Sequence, residues 1–190
     1  MGWVPLAGVL ATLALAFLWR PWLQRRRYAT HGILLFVALF ALLLGQALVA
    51  ALAPESLPLA QADRRAHAAL RLGVGALLML AGIVLLVTAQ LQLGASWRIG
   101  IDEAAQPRLV TRGLYAFSRN PIFLALLVIV AGYMLLIPTL LSAALLAGGY
   151  IGTRRQIAAE EAYLVRTYGD QYRAYARRVG RLLPGIGRLA

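Results

Sequence analysis

An all-α, polytopic membrane fold is what this sequence predicts, and three observations carry the prediction. Hydrophobic residues make up 61% of the 190, against about half in soluble domains. They gather into runs that approach the ~20 residues needed to cross a hydrocarbon core of about 30 Å. The runs are continuous and rich in Leu and Ala, without the alternation of a β-barrel strand.

About five spans follow. The first covers residues 3–19, with Trp3 and Trp19 as interfacial anchors. Four arginines, Arg20, Arg25, Arg26 and Arg27, come next. The second span covers residues 32–53, and Pro54 and Pro58 end it. A loop with Glu55, Asp63, Arg64, Arg65 and Arg71 leads to a third span over residues 72–93. The polar segment 94–120 follows. Pro121 suits the first turn of a fourth helix. Pro138 splits the apolar run after it into two short helices, residues 121–137 and a fifth span ending near 153. The segment from Trp3 is not expected to be a cleaved signal, because it lacks a basic start and ends at Arg20-Pro21.

The net charge of +12 raises nucleic acid as a partner. Every basic residue is an arginine beside a hydrophobic span, so the positive-inside rule accounts for the charge and the expected partner is the bilayer. Nucleic acid is not expected. The loops 20–27 and 94–120 and the tail from Arg154 hold most of the arginines. That places all three in the cytoplasm, with the N-terminus outside. The chain has no Cys, which excludes disulfides, thiolate metal sites and a cysteine nucleophile; no metal centre is expected. In the tail, Leu164, Tyr168, Tyr172, Tyr175 and Val179 recur at helical spacing, with Arg166, Arg173, Arg177 and Arg178 largely off that stripe. An amphipathic cytoplasmic helix lying on an anionic leaflet is expected there, with Gly169 interrupting it. With no internal repeat, the chain reads as a single domain: residues 1–93 contribute N-terminal membrane helices and residues 94–190 a ligand-binding half.

Two polar clusters flank the last hairpin. One is Leu109-Val110-Thr111-Arg112-Gly113-Leu114-Tyr115-Ala116-Phe117-Ser118-Arg119-Asn120-Pro121; the other runs from Arg154-Arg155-Gln156 to Glu160-Glu161. If the hairpin folds back, both meet at one membrane face. Charges there are expensive and often mark sites. Arg119 stands at the mouth of a helix whose free N–H groups favour an anion, and a guanidinium forks naturally around carboxylate or phosphate. Positive-inside anchoring accounts for Arg119 equally well. A solvated helix end accounts equally for the two glutamates; otherwise one of them faces inward and binds a cationic group. Gly113 supplies a turn before Tyr115.

The pattern Leu-Val-Thr-x-Gly-x-Tyr-x-x-x-Arg-Asn-Pro-x-Phe, an apolar hairpin, Glu-Glu, and Tyr-Gly-x-x-Tyr-x-x-Tyr-x-x-x-Val resembles the isoprenylcysteine carboxyl methyltransferase and phospholipid methyltransferase superfamily. Ser96-Trp97-Arg98-Ile99-Gly100 is similar to its bacterial branch. The resemblance covers roughly residues 109–179. It implies S-adenosyl-L-methionine as methyl donor, S-adenosyl-L-homocysteine as product, and a site on the cytoplasmic side, in a bacterial inner membrane. The implied donor contacts are Pro107, Arg108, Leu109, Val110, Tyr115, Asn120, Pro121, Ile122, Phe123 and Glu160. Asn120 stands where eukaryotic members carry His. Gln156 stands where the prenylcysteine enzymes carry a substrate-binding Arg, with Arg154 and Arg155 beside it as substitutes.

Glu160 is suited to the donor's ammonium, and Arg119 with backbone N–H groups to its carboxylate. Arg119 and Glu161 are the catalytic candidates. His31 and His67 are read as structural. The remaining bases are Glu160, Glu161, Asp102, Glu103 and tyrosines, which favours an acceptor that arrives nucleophilic. A lipophilic carboxylate entering from the bilayer is preferred to a lipid amine or thiol. Two other readings remain: an NADPH-dependent enzyme similar to the sterol reductases, and a non-catalytic scaffold. The sequence does not specify the oligomeric state.

Overall fold

A computed structural model describes residues 3–13, 30–53, 68–94 and 109–189, with side chains excepted at 11–13 and 30–40. Helices dominate these residues: α1 (Trp3–Leu13), α2 (Thr30–Leu52), α3 (Ala68–Leu93), α4 (Pro121–Leu136), α5 (Leu140–Tyr168) and α6 (Asp170–Arg178). A 3₁₀ turn, Gly113–Ala116, lies between α3 and α4. One isolated parallel bridge joins Ser118 to Gly180.

Among the described residues, α3 is the helix long and apolar enough to cross a membrane; α4 is as apolar but has only 16 residues. The outward face of α3 presents Leu70, Leu77, Leu80, Val84 and Leu91, all well exposed. An apolar stripe of that length belongs against lipid rather than water. At ~1.5 Å per residue, the 29 residues of α5 exceed the hydrocarbon thickness. Its last turns, with Glu160 and Glu161, therefore project beyond the core. The fifth span was expected to end near residue 153. The helix that carries it continues unbroken past that point to Tyr168, because residues 154–168 contain no Gly or Pro to stop it. Gly169, at φ +54°, makes the stop.

The α3 and α4 pair forms the centre, and small residues let the backbones approach. A Cβ on Gly132 would stand 2.7 Å from the Gly75 carbonyl oxygen and 2.8 Å from the Met79 nitrogen. Gly82 meets the Ala125 carbonyl in the same way at 3.0 Å. Close backbone approach is how membrane helices gain packing without a hydrophobic driving force. Leu43, Met79, Leu86, Ile129 and Tyr133 fill the surrounding core.

The α4–α5 hairpin turns at Ile137–Thr139, where Pro138 predicted it. Thr139 caps α5 by accepting from Ser142 N at 3.1 Å. A polar knot holds the turn against α2. Tyr133 Oη donates to Leu43 O at 2.9 Å, Ser142 Oγ donates to Gln46 Oε1 at 3.2 Å, and Gln46 Nε2 donates to Thr139 Oγ1.

The tail departs from expectation. The stripe of Tyr172, Tyr175 and Val179 is buried, and it packs with Ala176 against Leu109, Leu164, Val165, Tyr168 and Leu189. The apolar side of α6 covers protein, not a leaflet. The turn at Gly169 folds nine residues back onto α5 and the 109–120 segment. The arginines remain outside, as their spacing predicted.

Candidate active site

The site lies where segment 109–120, the start of α4, the end of α5, and α6 with the chain following it come together. Gly113 begins the 3₁₀ turn of this segment at φ +62°, and any Cβ there would collide with the Gln92 side chain. Gln92, near the end of α3, accepts from Leu114 N at 2.7 Å, which fixes the 3₁₀ turn to the helix. Tyr115 is thereby turned inward: its hydroxyl donates to Ala89 O at 3.4 Å, and its carbonyl accepts from Tyr175 Oη at 2.6 Å.

The two polar clusters meet as the hairpin argument required. Arg119 Nη2 lies 2.7 Å and Nε 3.0 Å from Glu161 Oε1. The guanidinium goes further. Nη1 donates to Ala176 O and Val179 O, each at 2.7 Å, and Nη2 to Gly187 O at 3.0 Å. A guanidinium has five N–H groups, and these bonds use all five. The Arg119 side chain is 1% exposed. Its role in the folded chain is to hold Glu161 and three backbone carbonyls. The expectation that Arg119 grips a ligand carboxylate finds no free donor on it. Glu161, expected as a catalytic carboxylate, is likewise occupied: Oε2 accepts from Arg181 Nη2 at 2.7 Å.

Segment 179–189 forms a hook over this pair. Arg119 N donates to Gly180 O at 2.9 Å, Asn120 Nδ2 to Arg181 O at 3.0 Å, and Arg181 N to Ile186 O at 2.7 Å. Leu189 N then returns to Ala176 O at 3.1 Å. The hook lies beyond the resemblance, which ends at Val179, and was not expected. Its available signal was the run Pro184-Gly185-Ile186-Gly187, a turn composition with two glycines at positive φ.

Glu160 differs from its neighbour. Its Oε1 accepts from Gln156 Nε2 at 3.0 Å, and the residue stays half-buried. Burial pushes its carboxyl above the usual range, partly offset by that hydrogen bond. Its charge, after burial and Tyr175, helps to raise the Tyr115 hydroxyl. Burial raises the Tyr115 and Tyr172 hydroxyls, and that of Tyr175 to about 12, so all three stay protonated at neutral pH. None of these three tyrosines is available as a tyrosinate base at neutral pH.

At the mouth of α4, Leu124 N to Asn120 O is the first bond of the helical ladder. The N–H groups of Ile122 and Phe123 precede it and have no intrahelical acceptor. Pro121 has no N–H to offer.

The remaining expected residues are placed as follows. Leu109 packs in the α6 cluster, and Val110 is half-buried beside it in sequence. Gln156 is engaged with Glu160 rather than free for a substrate. Arg154 and Arg155 are exposed on α5, with Arg154 donating to Tyr150 Oη at 3.3 Å. Pro107, Arg108, Asp102, Glu103 and His67 lie outside the described residues, and His31 falls in the first turn of α2. No group of three or more His, Asp or Glu forms a metal site among the described residues.

The solved structure of a eukaryotic intramembrane Ras methyltransferase, isoprenylcysteine carboxyl methyltransferase, has a similar fold. Its TM-score is 0.62 at 21% identity, over 97% of this chain and 63% of that one. The chain thus spans less than two thirds of that protein's length. No curated protein sequence matches it. The sequence profile of the phospholipid methyltransferase family matches residues 70–171, which take in α3, the inward-turned Tyr115, the mouth of α4 and both glutamates. This chain belongs to that family of membrane methyltransferases.

Proposed function

We propose that the chain is an S-adenosylmethionine-dependent methyltransferase acting, from the cytoplasmic face of a bacterial inner membrane, on a lipophilic acceptor. O-methylation of a carboxylate is the favoured reaction. The observation that carries the proposal is that, within the span that defines the family, Arg119 ties the turn of α5 bearing Glu160 and Glu161 to the segment leading into the first turn of α4.

The residues fit this donor. When bound, S-adenosylmethionine supplies a methyl group on a sulfonium, which an acceptor oxygen takes by in-line displacement. Glu160 is a half-buried carboxylate, suited to pairing an ammonium. The Tyr115 ring offers a face to a cation. The N–H groups of Ile122 and Phe123, at the positive end of α4, suit an anion. Arg119 acts at one remove, by holding Glu161 and so fixing the turn of α5 that carries Glu160.

Proton chemistry is sparse. Tyr115, Tyr172 and Tyr175 stay protonated, and Arg119 occupies Glu161. An acceptor that is already an anion needs no base, which favours a carboxylate. Arg154 and Arg155 stand exposed on the preceding turns of α5, where they can attract such an acceptor. A second reading, methylation of a lipid amine or thiol, draws on the family's description and on the raised pKa of Glu160, which suits a general base.

Calorimetry on the detergent-purified chain tests the proposal, with NADPH as control. Saturable binding of S-adenosylmethionine alone is expected, followed by transfer of labelled methyl to a lipid-soluble carboxylate. Binding of NADPH alone would move the chain to the reductase reading. Donor binding without turnover on any acceptor class would leave a scaffold.

A further inference from the structure

Two arginines hold Glu161, and they are not equivalent. Arg119 spends all five N–H groups on protein acceptors. Arg181 spends one, from Nη2 to Glu161 Oε2. Its Nε is buried without an acceptor, and its side chain is 30% exposed. A second buried donor lies in the field of the same charges: the hydroxyl of Tyr172, a residue 1% exposed, also has no acceptor. Buried donors in native proteins are nearly always paired, so two orphans at one cluster point to a missing acceptor. Two guanidiniums against one carboxylate leave the cluster with a positive charge, so that acceptor is an anion.

The backbone brings Arg181 to the mouth of α4. Its carbonyl accepts from Asn120 Nδ2 at 3.0 Å and from Ser118 Oγ at 3.5 Å, and the preceding carbonyl accepts from Arg119 N at 2.9 Å. Ile122 and Phe123 N–H begin two residues beyond Asn120. Through Glu161, Arg181 is also tied to the turn of α5 that carries Glu160. A guanidinium with spare donors, a helix opening and a lone carboxylate thus share one end of the molecule. A ligand bearing a carboxylate and an ammonium on one carbon matches that pair of opposite charges, and a carboxylate suits the fork of a guanidinium.

We propose that Arg181 binds the α-carboxylate at the amino-acid end of the methyl donor, while Glu160 takes the ammonium of the same end. The assignment rests on the donor reading above. It gives the hook a function: it delivers a binding residue that the family-matched span, ending at residue 171, does not contain.

The test compares S-adenosylmethionine with its decarboxylated analogue in calorimetry on the full chain, for wild type, Arg181→Met and Arg181→Lys. Arg181→Met is expected to weaken the complete donor on the order of 10- to 100-fold, as loss of a charge-assisted pair does, and to leave the decarboxylated analogue unchanged. Arg181→Lys is expected to restore part of the loss. The hook retains its bonds to Arg119 and Ala176 in both variants, and thermal melting checks that they stay folded. An equal loss for both ligands would mean that Arg181 acts only by holding Glu161, and would overturn the assignment. So would wild-type affinity in Arg181→Met, with the donor reading intact. Failure of wild type to bind either ligand would overturn the donor reading together with this one.

Discussion

Glu160 and Glu161 share a sequence motif and almost nothing else. Glu161 sits between two guanidiniums, whereas Glu160 has one neutral amide for a partner and a carboxyl raised by burial. Between the ordinary carboxylate range and that raised value, the folded chain holds a proton that the unfolded chain has lost. Stability therefore falls as pH rises through this window. Glu160→Gln is expected to remove that loss, so the ligand-free variant should melt higher than wild type at neutral pH. The same change should weaken S-adenosylmethionine by about 10- to 100-fold, as a lost charge-assisted contact does. It should also flatten the pH dependence: wild-type affinity should drop as acid protonates Glu160, and the variant's should not. Arg119→Ala belongs to another class. It strands Glu161 with one partner and frees three buried carbonyls, and breaking a buried pair costs about 3–5 kcal/mol. A lower melting temperature and early proteolysis within 179–189 are the expected readouts. The importance of Arg119 was legible from its place before Asn120-Pro121; its saturation was not, because three of its acceptors are main-chain carbonyls that carry no sequence signal.

At the scale of elements, the hairpin was readable because Pro138 cannot continue a helix, and Thr139 supplied the next cap. Its partner surface was not readable. Gly75, Gly82 and Gly132 are spread over two helices, and only their meeting shows that they are contacts. Gly132→Val would force the α3 and α4 backbones apart, with an expected cost of about 1–3 kcal/mol, typical of overpacking. A lowered melting temperature with retained helical circular dichroism would bear this out. The tail was misread for an equally physical reason. A stripe of tyrosines at helical spacing fits a lipid surface and a protein groove alike, and periodicity does not choose between them. The groove is supplied by Leu109, Leu164 and Val165, from segments distant in sequence.

The whole molecule reads as a membrane body with a polar cap on one side. Because the chain has no native cysteine, single introduced cysteines can report its orientation. Arg166→Cys, on the exposed side of the cap, should react with an impermeant thiol reagent only after cells are broken. Leu140→Cys, at the opposite end of α5 and 92% exposed, should react from outside. The reverse pattern would place the site on the other face of the membrane. The guanidinium of Arg119 has a consequence in time as well as in space. Its carbonyl acceptors belong to residues 176–187, which leave the ribosome after every other part of the site has been made. Until they emerge, the newborn hairpin carries an incompletely satisfied charge at its mouth. Synthesis of the hook is therefore the event that completes this network, and a nascent chain arrested before it should form its helices without the bonds that fix Arg119.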